Sequence, residues 1–164
     1  VQAESEIQKY QPNAVIVRAA SVCGYSPRMR FDLMVNRMVR DAICKGVITI
    51  HGGSQTRCHI HIADLCDFYR MLVRDDFPAG PINVSAANLS VAETAELVAS
   101  HIKGVAIEVK PRTDDRSYSV NTERMQKVFS TTRSVGQAIL DIKWKFESNY
   151  WRDAMTNPVY QNEI

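Results

Sequence analysis

The apolar residues of this chain recur with two different spacings, and the two spacings alternate along the sequence. Apolar residues three and four positions apart, such as Leu33, Met34 and Met38, predict helices. Short runs rich in β-branched residues predict buried strands. The predicted helices cover residues 1–10, 31–45, 63–73, 90–101, 121–128 and 134–142, and the predicted strands cover residues 14–20, 47–51, 57–62, 82–85 and 105–109. Because helices and strands alternate, the sequence predicts an α/β fold.

Polar residues mark where several of these helices begin. Ser90, with Glu93 three residues later, predicts a capping box. Asp64 and Asn121 are predicted to be N-caps of the helices that follow them. Residues 21–30 are rich in Gly, Ser, Pro and Arg, which predicts a loop between a strand and a helix.

Length and charge limit the class of protein. A chain of 164 residues is long enough for one domain with a hydrophobic core. Its 20 basic and 18 acidic residues give a net charge of +2, too even to predict binding to nucleic acid or to a membrane surface. No stretch approaches the ~20 apolar residues of a membrane-spanning helix. We therefore expect a cytoplasmic protein that binds neither nucleic acid nor membrane.

The cysteines and histidines do not predict a metal site. The four cysteines form no CxxC pair, so we expect free, buried or partly buried thiols in a reducing compartment. His59 and His61 lie two positions apart on a predicted strand and share one face, but no third ligand is placed beside them. We expect no bound metal.

The beginning of the chain lacks a feature typical of nucleotide-binding α/β proteins. Such proteins open with a glycine-rich strand–turn–helix unit, and the sequence contains neither GxGxxG nor GxxGxxG. The first predicted element is instead a helix with no N-cap before Val1. Strands 14–18 and 82–85 have little polar alternation, which predicts burial on both faces of a parallel sheet. We expect a longer protein whose first part precedes Val1.

Several blocks of the sequence resemble those of one enzyme family, in the same order and with matching spacing. The blocks are VQAESEIQKY, VIVRAASVCGYSPRMRFDLMVN, ITIHGGSQTRCHIHIADLCDFY, INVSAANLSVAETAELVA and DDRSYSVNTERMQKVF. Together they resemble the C-terminal half of an extended short-chain dehydrogenase/reductase. More narrowly, they are similar to the NAD-dependent nucleotide-sugar epimerases and dehydratases, over nearly all of residues 1–142.

The resemblance implies how the chain is organised. Residues 1–164 would form the C-terminal substrate-binding lobe of such an enzyme. Residues 14–20 and 82–85 would be two strands of a Rossmann-type parallel sheet whose N-terminal half is missing. Residues 144–164 would be a docking tail that carries Trp144, Tyr150, Trp151 and Tyr160.

The resemblance also implies an activity. The full-length protein, expected to be a homodimer, would use NAD to epimerise or dehydrate a nucleotide-activated sugar. Its YxxxK pair and the glycine-rich NAD turn would lie upstream of Val1, so this chain alone is expected to be inactive. Either the missing half accompanies it, or copies self-associate through exposed strand edges. Two alternatives are a non-catalytic NAD(P)-sensing or scaffold member of the superfamily and a reductase of a non-sugar substrate.

The family blocks assign site residues by position. Arg57 would contact the diphosphate, since arginine carries a permanent charge on a forked donor. Arg116 would add a second cation there, with Arg112 and Lys110 as competitors and an ion pair to Asp115 as its structural alternative. The implied substrate-binding residues are Ser21, Arg28, Arg30, Phe31, Asp32, Leu33, Asn36, Arg57, Asn88, Arg112, Arg116 and Tyr118, and the implied NAD contacts are Ala20, Ser21 and Val22.

Two positions depart from the family pattern. Ser21 stands where many members carry Asn in this turn, and a serine hydroxyl preserves the contact more weakly or through water. Cys23 replaces the usual Tyr of the VYG motif.

The resemblance leaves the ligand and the reaction open. It implies that Asn88 would lie near the nucleoside ribose. The blocks do not distinguish epimerisation from dehydration or reduction, and they do not identify the nucleotide or the sugar.

Overall fold

The computed structural model describes residues 2–111, 115–151 and 153–160. Its helices are α1 (Gln2–Tyr10), α2 (Met34–Lys45), α3 (Ile62–Arg74), α4 (Val91–His101), α5 (Glu123–Gln126) and α6 (Val135–Glu147), followed by a short 3-10 helix at Pro158–Tyr160. Its strands are β1 (Val15–Ala19), β2 (Ser21–Cys23), β3 (Val47–His51), β4 (Thr56–His61), β5 (Gly80–Val84), β6 (Ala87–Ser90) and β7 (Ala106–Lys110).

The strands form small, mostly parallel sheets. β1 pairs with β5, β2 with β4, and β3 with β7, each in parallel, whereas β6 runs antiparallel to β4. Parallel neighbours need a crossover connection, and helices provide it here: α2 lies between β2 and β4 in the chain, and α3 lies between β1 and β5. The predicted α/β class is confirmed.

The main hydrophobic core lies where α2, α4 and α6 pack together. Each helix turns an apolar stripe inward, since its buried residues are three and four positions apart. A smaller core lies between α3 and the strands β4 and β5. Residues exposed by 2% or less include Met38, Val39, Ala95, Val98 and Ile139 in the first core and Ile60, Phe68, Ile82 and Met125 in the second.

Two buried polar side chains fasten α3 and β4 to α6. The Asp64 carboxylate accepts hydrogen bonds from the backbone N–H groups of Thr132 (3.0 Å) and Arg133 (2.9 Å), and from their side chains at 3.0 and 2.7 Å. His61 bonds the Asp141 carboxylate of α6 through Nε2, at 3.1 Å. These bonds fix the beginning of α6 and its middle.

The prediction that Asp64 is the N-cap of α3 is therefore wrong. The helix begins at Ile62, and His61 is its N-cap, with Nδ1 accepting the N–H of Ala63 at 3.1 Å. Asp64 lies in the first turn, where a negative charge also suits the positive end of the helix. Its carboxylate instead accepts hydrogen bonds from Thr132 and Arg133, which lie far away in the sequence, so no local pattern predicts this contact.

Tertiary contacts also move several other boundaries. Part of the predicted loop 21–30 is strand β2, and the unpredicted strand β6 follows β5, because β4 offers a partner to both. The prediction of an N-cap at Asn121 is off by one residue. Thr122 holds that position, although the Asn121 side chain accepts the N–H of Glu123 at 2.8 Å. The capping box at Ser90 is confirmed.

The region of β1 and α1 is less buried than the sequence predicts. In β1 only Ile16 is buried, and Arg18 and Ala19 are exposed, so the predicted burial of both faces is wrong for this strand. Helix α1 buries none of its residues, and Arg18 binds its Glu4.

The predicted docking tail divides into packed and exposed parts. Trp151 is buried, and its ring and that of Tyr160 lie 5.2 and 5.8 Å from the ring of Phe31. Trp144 and Tyr150 remain exposed by 60% and 50%. Among the described residues, no helix is both long enough and apolar enough to cross a bilayer.

Candidate functional site

A cavity of about 330 Å³ lies where α2, β3 and β4 meet, and we call it the basic cavity. It brings together Asp32, Arg57 and Arg116, which the sequence places far apart but predicts for the same site. Arg37 and His51, which were not predicted, complete its charged and polar wall. The full lining is Asp32, Met34, Arg37, Ile50, His51, Gln55, Arg57, Val91 and Arg116.

The charges around the basic cavity favour an anion. Three arginines line it, and the one carboxylate, on Asp32, is already paired with the guanidinium of Arg30. That pairing lowers the pKa of Asp32, so the carboxylate stays ionised and its charge stays matched. Arginine is also suited to phosphate because its planar fork donates two parallel hydrogen bonds. The cavity therefore suits a di-anionic or polyanionic group.

Residues 115–121, which we call the strap, form one rim of this cavity. The N–H of Tyr118 donates to the carbonyl of Thr56 at 3.2 Å, and the N–H of Thr56 donates to the Ser117 hydroxyl at 3.0 Å. Arg57 holds the strap as well, through a hydrogen bond to the carbonyl of Arg116 and a guanidinium 5.3 Å from the centre of the Tyr118 ring. Arg57 thus both lines the cavity and orders its rim.

A second cavity of about 310 Å³ lies on the other side of residues 28–33, and we call it the apolar cavity. Buried Asn36 fixes its wall, since Nδ2 donates to the carbonyl of Arg30 at 3.1 Å and Oδ1 accepts the N–H of Gly24 at 3.3 Å. Gly24 has a φ of +107°, and a Cβ there would lie 3.2 Å from the ring of His61, so this position requires glycine. Five predicted residues line this cavity: Val22, Arg28, Arg30, Leu33 and Asn36.

The Arg30–Asp32 ion pair stands between the two cavities. Arg30 lines the apolar cavity and Asp32 lines the basic one. Nε of Arg30 donates to the Asp32 carboxylate at 2.9 Å. One short loop therefore contributes residues to both cavities.

Phe31, between these two residues, has no exposed surface. Its ring packs against the rings of Phe146, Trp151 and Tyr160 at 5.2 to 5.8 Å. The structure thus corrects the expectation of a ligand contact, because aromatic residues from the end of the chain cover the ring. Phe31 contributes to the site by fixing the backbone of the loop.

Other predicted residues lie outside both cavities. Asn88 is exposed on β6, and its side chain binds the backbone of Val120 in the strap. Tyr118 lies beside Arg57, as described above. Arg112 lies outside the described residues. A larger cavity of about 630 Å³, between Phe77 and Val128, contains none of the predicted residues.

The three predicted NAD contacts, Ala20, Ser21 and Val22, join β1 to β2. Ala20 is buried and its N–H donates to the carbonyl of Val84 at 2.9 Å, while Ser21 and Val22 pair with β4. Only Val22 lines a cavity described here, the apolar one. The pyrophosphate of a dinucleotide binds N–H groups at a helix start after a glycine-rich turn, and none of α2 to α6 begins after one. These residues alone do not fit NAD.

Gln55 shapes the basic cavity, although no role was predicted for it. It is buried, its Nε2 donates to the carbonyl of His51 at 2.6 Å, and its Oε1 accepts the N–H of Gly53 at 2.7 Å. The turn between them needs φ values of +77° at Gly52 and +151° at Gly53. The GGSQ sequence carried this signal, whereas Arg37 and His51 carried none.

His59 and His61 point toward the core and do not form a metal site with other residues. Among the described residues there is no group of three His, Cys, Asp or Glu side chains that could hold a metal ion. His59 is 1% exposed and neither ring nitrogen has a hydrogen-bond partner. Burial and the charge of Arg57 lower its pKa to about 4, so the ring is neutral.

The four cysteines are free thiols that differ in burial. Cys23 and Cys58 are buried, and burial raises the pKa of Cys23 to about 12. Cys44 and Cys66 are exposed.

Comparison with known proteins adds a family and a fold. A sequence model of the NAD dependent epimerase/dehydratase family matches residues 2–85. An NAD-dependent NDP-hexosamine 5,6-dehydratase of tunicamycin biosynthesis is 19% identical with a TM-score of 0.73, covering 90% of this chain and 50% of that one. UDP-N-acetylglucosamine 4-epimerase from Bacillus cereus is 16% identical with a TM-score of 0.69, covering 87% and 52%.

A third solved structure gives the same result. It is dTDP-glucose 4,6-dehydratase from Bacillus anthracis in complex with NAD, 19% identical with a TM-score of 0.73, covering 92% of this chain and 50% of that one. The chain thus spans about half the length of these proteins, and at such identities the likeness is one of fold. Because the family's sequence model covers just over half of its residues, this chain belongs to the NAD-dependent epimerase/dehydratase family.

Proposed function

We propose that the protein to which this chain belongs epimerises or dehydrates a nucleotide-activated sugar with NAD, and that this chain supplies the nucleotide-sugar site. The observation that carries the proposal is the basic cavity. It collects Asp32, Arg57 and Arg116 beside Arg37, and its only carboxylate is already paired. The structural neighbours include enzymes named for UDP- and dTDP-sugars, which supports the same ligand class.

Within this site, the diphosphate occupies the basic cavity. Arg57 and Arg116 face it from β4 and from the strap, so the two cations reach one anionic group from different sides. Ile50 and Val91 give the same cavity apolar surface, which suits the flat face of a nucleobase. The apolar cavity beyond the Arg30–Asp32 pair then lies on the sugar side.

Calorimetric titration of UDP and dTDP into the 164-residue chain tests the proposal. We expect saturable binding of at least one of them, and no binding of free glucose. Arg57→Ala removes a charge-assisted contact of about 1.5–3 kcal/mol, so affinity should fall about 10- to 100-fold. Arg57→Lys keeps the positive charge but not the forked donor, so its affinity for the nucleotide should lie between those of the wild type and Arg57→Ala.

The matched control is Arg70→Ala, which removes an exposed arginine of α3 that lines neither cavity. It should leave the affinity for UDP and dTDP unchanged. A change of less than twofold for Arg57→Ala would assign Arg57 to the surface, and no saturable heat with either nucleotide would contradict the proposed site. We expect no saturable heat with NAD, since this sequence contains no glycine-rich NAD turn.

A further inference from the structure

The side chain of Asn88 is engaged on both of its polar groups by one residue of the strap. Its Nδ2 donates to the carbonyl of Val120 at 3.2 Å, and its Oδ1 accepts the N–H of Val120 at 3.1 Å. This exchange of two hydrogen bonds is the pattern of a directly paired residue in an antiparallel ladder. A primary amide on β6 thus takes the place of a neighbouring strand.

The contact between Asn88 and Val120 lies between two other contacts that hold the strap. Two residues before Val120, the N–H of Tyr118 binds Thr56 of β4, and one residue after it the carbonyl of Asn121 binds Asn83 of β5. Arg116 lies upstream, at the rim of the basic cavity. The strap has no regular secondary structure, so its separate contacts with β4, β5 and β6, and not a continuous ladder, fix where it lies at the rim of the cavity.

We propose that Asn88 is a positioning residue of the nucleoside-diphosphate site, which acts through Val120 and the strap on Arg116 and does not bind the ligand. The proposal rests on the function proposed above for the basic cavity. An exposed asparagine near a nucleotide site can equally serve as a direct hydrogen-bond partner of the ribose, as the family resemblance implied. The two roles predict different behaviour of the strap before any nucleotide is added.

The positioning role predicts a change in the ligand-free chain. Asn88→Ala leaves the Val120 N–H without its acceptor, so its hydrogen exchange should accelerate. Because the contact at Val120 lies two residues from Tyr118, the exchange of the Tyr118 N–H should also accelerate, by about tenfold for the loss of contacts worth one or two ordinary hydrogen bonds. A residue that only touches ligand would leave Tyr118 exchange unchanged.

The matched control is Asn83→Ala, which removes the single bond from β5 to the carbonyl of Asn121. It deletes the same kind of side chain from β5, the strand that precedes β6 in the chain, but leaves the two-way contact at Val120 intact. We expect it to leave the exchange of Tyr118 near the wild-type rate. Equal acceleration in both variants would show a general loosening of the strap and would overturn the specific role of Asn88.

Affinity for UDP supplies the second arm of the experiment. Asn88→Ala should weaken UDP binding about tenfold in the otherwise wild-type chain, and should weaken it no further when Arg116→Ala is already present. Losses that multiply in the double variant would mean that Asn88 contacts the ligand itself, and would overturn the proposal. So would unchanged Tyr118 exchange with weakened UDP binding.

The two arms separate the two proposals. Hydrogen exchange is measured without nucleotide, so unchanged exchange at Tyr118 overturns the positioning role whether or not UDP binds. If the wild-type chain binds neither UDP nor dTDP while Asn88→Ala still accelerates Tyr118 exchange, the proposed function of the basic cavity fails and the ordering of the strap by Asn88 stands.

Discussion

Helices α6 and α1 are held in place by opposite means. α6 buries four residues in the main core, and its beginning and middle are bound through buried Asp64 and His61. α1 buries none of its residues and is joined to β1 by an exposed ion pair between Glu4 and Arg18. The comparison teaches that burial and buried polar contacts fix α6 within this chain, whereas α1 adds no buried residue to either core.

Removing the carboxylate of Asp64 should break the firmly held region with the largest effect. Asp64→Ala leaves the N–H groups of Thr132 and Arg133 and the Arg133 charge without a buried acceptor. We expect a loss of about 3–5 kcal/mol in the free energy of unfolding, measured by urea denaturation. Asp67→Ala, which removes only the exposed partner of the same arginine, is the control and should have a much smaller effect.

Acid should lower the free energy of unfolding through His59, which is buried in β4. The unfolded chain binds a proton at this ring below its ordinary pKa of 6.5, but the folded chain does so only below about 4. The free energy of unfolding is therefore highest above pH 6.5, and it falls by roughly 2 kcal/mol on going to about pH 5. Urea denaturation at both pH values measures it.

His59→Leu should remove this part of the pH dependence, because leucine has no proton to bind. The control is Ile60→Val in the same strand, which removes no titratable group and should leave the slope of stability against pH unchanged. An unaltered slope in His59→Leu would mean that other groups cause the acid sensitivity.

The weakly covered region should reveal itself by association. The carbonyl of Ala14 and the N–H of Ala20 both bond toward β5, so the alternate residue Val17 directs its backbone groups to the other edge of β1. No described residue pairs with that edge. If the chain is alone, we expect it to form a dimer or larger assembly through such edges, detected by light scattering.

Val17→Pro sharpens this prediction because it removes the outward N–H and keeps the ladder between β1 and β5. It should shift the scattering mass toward the monomer, whereas Val17→Ala, which keeps the N–H, should not. A wild-type chain that is cleanly monomeric would show that its own elements already cover the strand edges.

The smallest effect is expected at α1. Glu4→Ala removes an ion pair that joins an exposed helix to β1, and such pairs contribute little. The midpoint of thermal unfolding should stay constant, while amide hydrogen exchange within α1 should accelerate. A clear drop in the midpoint would place α1 in the cooperative core and erase the contrast with α6.

Local patterns predicted most of the helices because the information was local. The Ser90–Glu93 capping box lies within one turn, and the stripes of α2 and α6 repeat every three or four residues. The strand β6 was not predicted, because Asn88 and Ser90 make it polar and only its pairing with β4 gives it a regular form.

The candidate site was predicted only in part, because only some of its residues lie in short sequence motifs. Arg57 and Arg116 stood in recognisable motifs, and the structure brings them to one cavity. Arg37 reaches that cavity only because α2 packs beside β3, which no sequence spacing reveals. Phe31 was misjudged because the rings that bury it come from residues more than a hundred positions away.

The cap of α3 makes His61 a natural spectroscopic probe. Because its Nδ1 accepts the N–H of Ala63, the neutral ring must carry its proton on Nε2, where it bonds Asp141. The two ring nitrogens should therefore have well-separated ¹⁵N chemical shifts typical of a single tautomer. Undocking of α6 would remove the Asp141 partner, and the tautomers would begin to interconvert. The imidazole signal of His61 thus reports whether α6 is packed against the sheet.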